Sequence, residues 1–221
     1  MTQDDKRPAE TALENRNAAG ERLFSPSVAR NRDPIRDVFL KHMPQGGKAL
    51  EIGGGTGEHA AHLAAALPDL HWTTGDPDPA ARRSIAAWIA DAGLHNLAGP
   101  HAIDVTAAAW GVEETAPFDA VISINMIHIA PFAAAQGLFA GAGRLLAGGG
   151  KLFLYGPFSR KGVHTAPSNE AFDASLKMRN PAWGVRDLEH DIAPLAQKHA
   201  FSLETIVEMP ANNLSVIFRK D

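Results

Sequence analysis

The chain has 221 residues, 45% apolar and 21% charged, with a formal net charge of −4, which fits one α/β domain with a sizeable core. It contains no cysteine, which excludes disulfides, thiolate metal sites and a cysteine nucleophile. Acidic and basic residues are mixed, without the Lys/Arg-rich block that would predict a nucleic-acid partner.

Residues 1–24 are polar and read as a flexible N-terminal arm, not a signal peptide. No apolar run approaches the roughly 18 residues of a membrane span, so a cytoplasmic protein without membrane contact is expected. A single domain is expected over 25–221. Its first segment, 25–43, has a helical pattern in which Val28, Ile35, Val38, Phe39 and Leu40 share a face, with an interruption or restart at Pro34. The run 43–47, Met-Pro-Gln-Gly-Gly, stops it.

Strands and helices then alternate. Strands are expected over 48–52, 70–74, 101–105, 118–124 and 151–155, the fourth being the most apolar and so central. Helices are expected over 58–67, 79–92 and 132–146, the last ended by Gly148-Gly149-Gly150. One or two helices follow in 168–199. Strands 201–208 and 214–219 flank the hairpin signal Met209-Pro210-Ala211-Asn212-Asn213. Repeated βα units predict a Rossmann-like, seven-stranded, mostly parallel sheet with helices on both faces and a C-terminal antiparallel hairpin. Ligands of such sheets bind past the carboxyl ends of the strands, where strand order reverses.

The first strand runs into Glu51-Ile52-Gly53-Gly54-Gly55-Thr56-Gly57. Gly53, Gly55 and Gly57 allow a sharp turn and a close ligand approach. The dinucleotide fingerprint would need a third glycine where Glu58 stands, and a carboxylate there repels a pyrophosphate. The loop therefore fits a cationic nucleoside better than a dinucleotide, with Glu51 placed to help hold the cationic end. Asp76, 19 residues after Gly57, is spaced for an acid that accepts ribose hydroxyls. Helix capping is the competing role, and Asp78 suits it better. Asp104 is placed either to accept from an adenine amino group, with Val105 flanking the ring, or to serve as a surface turn residue.

These features together resemble class I S-adenosylmethionine-dependent methyltransferases, as do Phe118-Asp119-Ala120-Val121-Ile122-Ser123 and Leu145-Leu146-Ala147-Gly148-Gly149-Gly150. More narrowly, the chain is similar to the family that includes methyltransferase-like protein 26. That similarity rests on Arg30-Asn31-Arg32-Asp33-Pro34-Ile35, the glycine loop through His59, Asn125-Met126-Ile127-His128-Ile129 and Tyr155-Gly156-Pro157-Phe158. It continues through Ser168-Asn169-Glu170-Ala171-Phe172-Asp173, Trp183-Gly184-Val185-Arg186-Asp187 and the 209–213 run. One departure is Thr73-Thr74-Gly75-Asp76, where relatives commonly carry Pro-Ser before the acid.

The resemblance implies S-adenosyl-L-methionine as cofactor and a lid at 25–43 that contributes Asn31 to its site. Methyl transfer needs alignment, exclusion of water and, for some acceptors, a base. Asn125 and His128 follow the central strand, beside the expected methyl position. His128 is either a general base or a packing residue, and Tyr155 either orients substrate or belongs to the core. Asn169, Asp173 and Arg186 lie in a substrate-side insertion, 156–199. Arg186 either anchors an acidic group or pairs with Asp187 and Glu189. His128, Tyr155, Asn169 and Arg186 are expected to line one acceptor pocket. His59 and His62 complete neither His-Glu-x-x-His nor His-x-x-Glu-His, so no metal is expected. The Asn/Asp-Pro-Pro-Tyr motif of nucleic-acid and glutamine methyltransferases is missing too, which favours a small-molecule acceptor. The competing reading is a non-catalytic S-adenosylmethionine-binding or partner-binding protein on the same fold.

Overall fold

A computed structural model describes residues 16–221. Residues 1–15 of the expected flexible arm lie outside the described residues. The remainder of that arm is a hairpin, β1 (Asn17–Ala19) and β2 (Arg22–Phe24), paired antiparallel. It docks on a later helix because Leu23 N–H donates to Ser84 Oγ, Trp88 Nε1–H donates to Leu23 O, and the Phe24 and Trp88 rings meet edge to face at 5.1 Å.

Helix α1 (Pro26–His42) follows. The expected break at Pro34 does not occur. An interior proline costs about 3 kcal/mol, and here the buried face formed by Val28, Ile35, Val38 and Phe39 offsets it. Phe39 packs on Trp72 and Phe153, and burying such a ring stabilises by about 1.5–3 kcal/mol.

The alternating units are β3 (Gly47–Ile52), α2 (Glu58–Ala66), β4 (Leu70–Gly75), α3 (Pro79–Ala92), β5 (Leu97–His101), β6 (Phe118–Ile124), α4 (Phe132–Leu145) and β7 (Leu146–Gly156). Two expectations need correction. The third strand of the series is Leu97–His101, not 101–105. It pairs Leu97 with Trp72 and tolerates Pro100 because it lies at the sheet edge. The Gly148–Gly150 run does not lie outside the strand. It falls within β7, where the register against β6 shifts between the Leu146 and Lys151 pairings.

After β7 the chain forms β8 (Phe158–Arg160), β9 (Val163–His164), α5 (Pro167–Arg179), β10 (Arg186–Asp187) and α6 (Ala193–Lys198). It ends in β11 (Phe201–Met209) and β12 (Asn213–Lys220). Strands β8, β9 and β10 make a small separate sheet within the expected insertion.

The main sheet has seven strands in the order β11-β12-β7-β6-β3-β4-β5. Strands β7, β6, β3, β4 and β5 are parallel, and β12 runs antiparallel to both β7 and β11. This is the Rossmann-like architecture expected from the sequence. One face is covered by α1, α2 and α3, around Phe39, Leu63 and Trp72. The other is covered by α4 and α6, around Trp110, Phe118 and Phe139. Strand order reverses between β3 and β6, so the carboxyl ends of those two strands frame the crevice. Among the described residues, no helix is long and apolar enough to cross a membrane.

Candidate functional site

A cavity of about 790 Å³ opens at this crevice. That lies within the range of small-molecule sites. Its walls come from α1, the loop after β3, the ends of β6 and β7, the start of α5 and the β11–β12 turn.

The glycine loop forms the first wall. Gly53, Gly55 and Gly57 all have positive φ. A Cβ on Gly53 would stand 2.9 Å from Met126 Cγ, and one on Gly57 would stand 2.9 Å from the Ile85 backbone. Those two glycines thus serve packing, whereas a Cβ on Gly55 would meet nothing nearer than Gly53 O at 4.0 Å. The N–H groups of the loop's four glycines are used internally. Gly53 and Gly54 N–H both reach Gly75 O at 3.0 Å, Gly57 N–H reaches Gly54 O, and Gly55 N–H donates to Asp76 Oδ2. The Glu58 carboxylate sits at the start of α2, where it accepts from Ser25 N–H at 2.7 Å and Thr56 Oγ1 at 3.1 Å. A pyrophosphate would find the glycine donors taken and a carboxylate at the helix terminus. Glu58 also ties the start of α1 to the loop, a role the sequence did not reveal.

The expected acids Glu51, Asp76 and Asp104 do not line the cavity. Glu51 is buried and accepts from Thr74 Oγ1 at 2.6 Å; burial pushes its carboxyl up to about 7. Asp76 accepts from Gly55 N–H and Asp78 N–H, and burial raises its carboxyl as well. Asp78 caps α3 through Ala80 N–H, as the sequence suggested. Asp104 is exposed, and its Oδ1 accepts from both Thr106 N–H and Thr106 Oγ1, which is the turn role. Val105 is buried in the core.

Helix α1 forms a second wall. Asn31 is buried, with Oδ1 2.9 Å from His59 Nε2 and its side chain bonded to Tyr155. Burial holds the His59 imidazole neutral, down to about 3, and raises the Tyr155 phenol. Arg30 and His59 also line the cavity and were not singled out from the sequence for this site. The signal for His59 was its place in the first turn after Gly57.

The far wall carries the candidates for chemistry. Asn125 adopts φ 61°, which asparagine tolerates, and its N–H donates to Tyr155 O at 2.8 Å. His128 is 1% exposed and held down to about 3 by burial. Its Nδ1 accepts from Arg186 N–H at 3.3 Å, while Nε2 has no partner. The ring lies against Gly156, where a Cβ would stand 2.4 Å from Nε2. Asn169 donates to Thr165 Oγ1 and Asn212 O, each at 2.9 Å.

Thus Asn31, Asn125, His128, Tyr155 and Asn169 share the cavity with Gly53 and Gly55. Arg186 does not line it, and neither expected role fits. Its Nε donates to Ile127 O and its Nη2 to Ala130 O and Ala182 O, with the guanidinium 5.6 Å from the Phe132 ring centroid. The anticipated ion-pair partners are engaged elsewhere, Glu189 with Arg160 and Asp187 with Ser159 and Gly162. Asp173 likewise lies outside the cavity walls, accepting from Val185 N–H and Lys177 Nζ. Both residues hold the insertion together.

Several solved structures share this fold. An O-methyltransferase family protein from Burkholderia thailandensis superimposes with a TM-score of 0.74 at 16% identity, covering 88% of this chain and 57% of that one. An O-methyltransferase family 2 protein from Planctomyces limnophilus, solved with apigenin, gives 0.72 at 17% identity, with 88% and 60% covered. The mitomycin 7-O-methyltransferase MmcR gives 0.69 at 18% identity, with 87% and 55% covered. This chain spans a little over half the length of each. The chain therefore shares the Rossmann-like fold of these proteins. A family model described as "Protein of unknown function (DUF938)" matches residues 22–220, nearly the whole chain, and the protein belongs to that family.

Proposed function

We propose that this protein is an S-adenosyl-L-methionine-dependent methyltransferase acting on a small-molecule acceptor, related to the family that includes methyltransferase-like protein 26. The observation that carries this reading is the single cavity joining the glycine loop to His128 and Tyr155 at the point where strand order reverses. The loop suits a phosphate-free nucleoside because its glycine donors are already used and Glu58 fills the helix terminus. Each oxygen of Asp76 accepts one backbone N–H and keeps a lone pair for a ribose hydroxyl. Asp104 uses only Oδ1 in its turn, which leaves Oδ2 for an adenine amino group, with Val105 beneath. Glu51 acts from under the loop, holding Thr74 by a hydrogen bond and making no direct contact. The cofactor, when bound, supplies an activated methyl group. The protein's part is to seat the acceptor against the loop and exclude water. Helix α1 does the latter by roofing the cavity with Val28 and Asn31.

Calorimetry with S-adenosylmethionine and NAD is the direct test. S-adenosylmethionine should bind and NAD should not. Asp76→Ala, checked for folding by circular dichroism, should weaken binding about 10- to 100-fold, the value of a bond to a charged acceptor. Binding of NAD alone would defeat the proposal. Release of S-adenosylhomocysteine on incubation with a metabolite extract would establish turnover.

A further inference from the structure

The cavity has a marked chemical asymmetry. Among the described residues, Arg16 and Arg30 line it and no aspartate or glutamate does. Its two histidines are not equivalent to free imidazoles. His59 Nε2 is committed to Asn31. The Gly184 backbone also interacts with the His128 ring, but the bond of good geometry is the one Nδ1 accepts from Arg186 N–H, which puts the lone pair on Nδ1 and the proton of the neutral ring on Nε2. The unpartnered Nε2 of this buried ring is therefore a donor without an acceptor. A buried donor left unpaired costs about 1–3 kcal/mol, and native structures usually supply its partner. Tyr155 is bonded to Asn31. The lining thus includes two arginines and a histidine whose Nε2–H, packed beside Gly156, lacks a partner, and no carboxylate to take up a proton.

From this juxtaposition we infer that the cavity takes an acceptor whose reactive end is an anionic oxygen, a carboxylate or an acidic phenolate, and that His128 positions that oxygen as a hydrogen-bond donor instead of removing a proton from it. The inference rests on the methyltransferase reading and names its substrate class. An oxygen that arrives ionised brings its own lone pair and asks for no base. Burial agrees, since it holds the His128 ring neutral far below its usual range, a poor state for a base near pH 7. Arg186 acts only through its backbone, by fixing which nitrogen of His128 carries the proton.

The test uses the full chain labelled with 15N-histidine. Long-range 1H–15N correlation spectra should show His128 as the Nε2–H tautomer from pH 5.5 to 8.5, with no ligand required. An Nδ1–H tautomer would overturn the inference. Acetate and benzoate should then be titrated, against ethanol and benzyl alcohol, into protein saturated with S-adenosylhomocysteine. The carboxylates should shift the Nε2 signal and bind at least tenfold tighter than the alcohols. His128→Phe should abolish that preference, and His128→Gln, which keeps a side-chain donor, should restore part of it. Equal binding of acids and alcohols would overturn the inference. So would a signal that S-adenosylhomocysteine alone shifts fully, because the donor would then belong to the cofactor's carboxylate. Calorimetric binding of S-adenosylhomocysteine reports on the methyltransferase reading separately. If it binds while carboxylates show no preference, only the substrate class fails.

Discussion

The two walls of the cavity are built on opposite principles. On the glycine-loop side the polar groups are satisfied within the protein: Gly53 and Gly54 by Gly75, Gly55 by Asp76, Glu51 by Thr74, and Glu58 by Ser25 and Thr56. On the far side a buried imidazole nitrogen is left without a partner, although the residues behind it are fully engaged. The first wall is complete before any ligand arrives, which is what a fixed cofactor cradle requires. The second is complete only when a ligand supplies the missing acceptor. A rigid seat and an open bond are a sensible division where one bound molecule is common to every turnover and the other sets specificity.

The largest expected effect comes from removing the support behind the far wall. Arg186 is half-buried and spends its guanidinium on three backbone carbonyls from two loops. Hydrogen bonds to a charged donor contribute about 1.5–3 kcal/mol each and do not add fully, so Arg186→Ala should cost about 4 kcal/mol in urea unfolding. Arg186→Lys should recover only a small part, because a point charge cannot fork to separate carbonyls. If Arg186→Ala left stability within about 1 kcal/mol and removed carboxylate binding, the guanidinium would be a substrate anchor and the far wall would not be preset from behind.

A second effect sharpens the description of the near wall. Glu51 is raised to about 7 from an ordinary 4.5 by burial. Below pH 4.5 both folded and unfolded chains hold the proton. Between pH 4.5 and 7 the unfolded chain releases it while the folded chain keeps it, so this group's contribution to stability falls as pH rises and is constant above 7. The full change is about 3 kcal/mol. His59 and His128, neutral in the fold, lose stability in the other direction as pH falls below 6.5. The informative quantity is thus the difference between wild type and Glu51→Gln. The variant should gain on wild type progressively from pH 4.5 to 7 in thermal or urea unfolding. A pH-independent difference would mean that Glu51 is ionised throughout, a buried charge awaiting a cationic partner.

Much of this organisation was legible in the sequence. The apolar run at 118–124, the Asp78-Pro79 start of α3 and the 209–213 turn each marked an element whose bounds the structure matches closely, because local periodicity and capping decide them. The glycine loop was legible for the same reason. The roles of the long side chains were not. Arg186 looked available, but its carbonyl partners at Ile127 and Ala130 lie almost sixty positions earlier in the chain, and nothing local announces them. Glu58 was read as a repulsive charge, while its clamp on Ser25 depends on where α1 folds back. The third strand was misplaced because Pro100 and two small neighbours hide a short edge strand. The polar composition of residues 17–24 concealed a hairpin whose apolar anchors, Leu23 and Phe24, find their partners on α3.

That hairpin gives the smallest expected effect, and one that tests how far the near wall extends. Ser84 is fully buried on α3, and its hydroxyl has two distant partners. It donates to Thr56 O in the glycine loop at 2.6 Å and accepts from Leu23 N–H of β2 at 2.9 Å. One oxygen atom therefore couples the N-terminal hairpin to the loop that faces the cavity. Ser84→Ala removes both bonds with almost no change in volume. It leaves Leu23 N–H and Thr56 O to find other partners, at a cost of about 1.5 kcal/mol. If the coupling is real, amide exchange should accelerate at Leu23 and also around Gly55 and Thr56, while the β6 and β7 amides remain protected. Acceleration confined to Leu23 would instead make the hairpin an appendage, and the preset wall would end at the glycine loop itself.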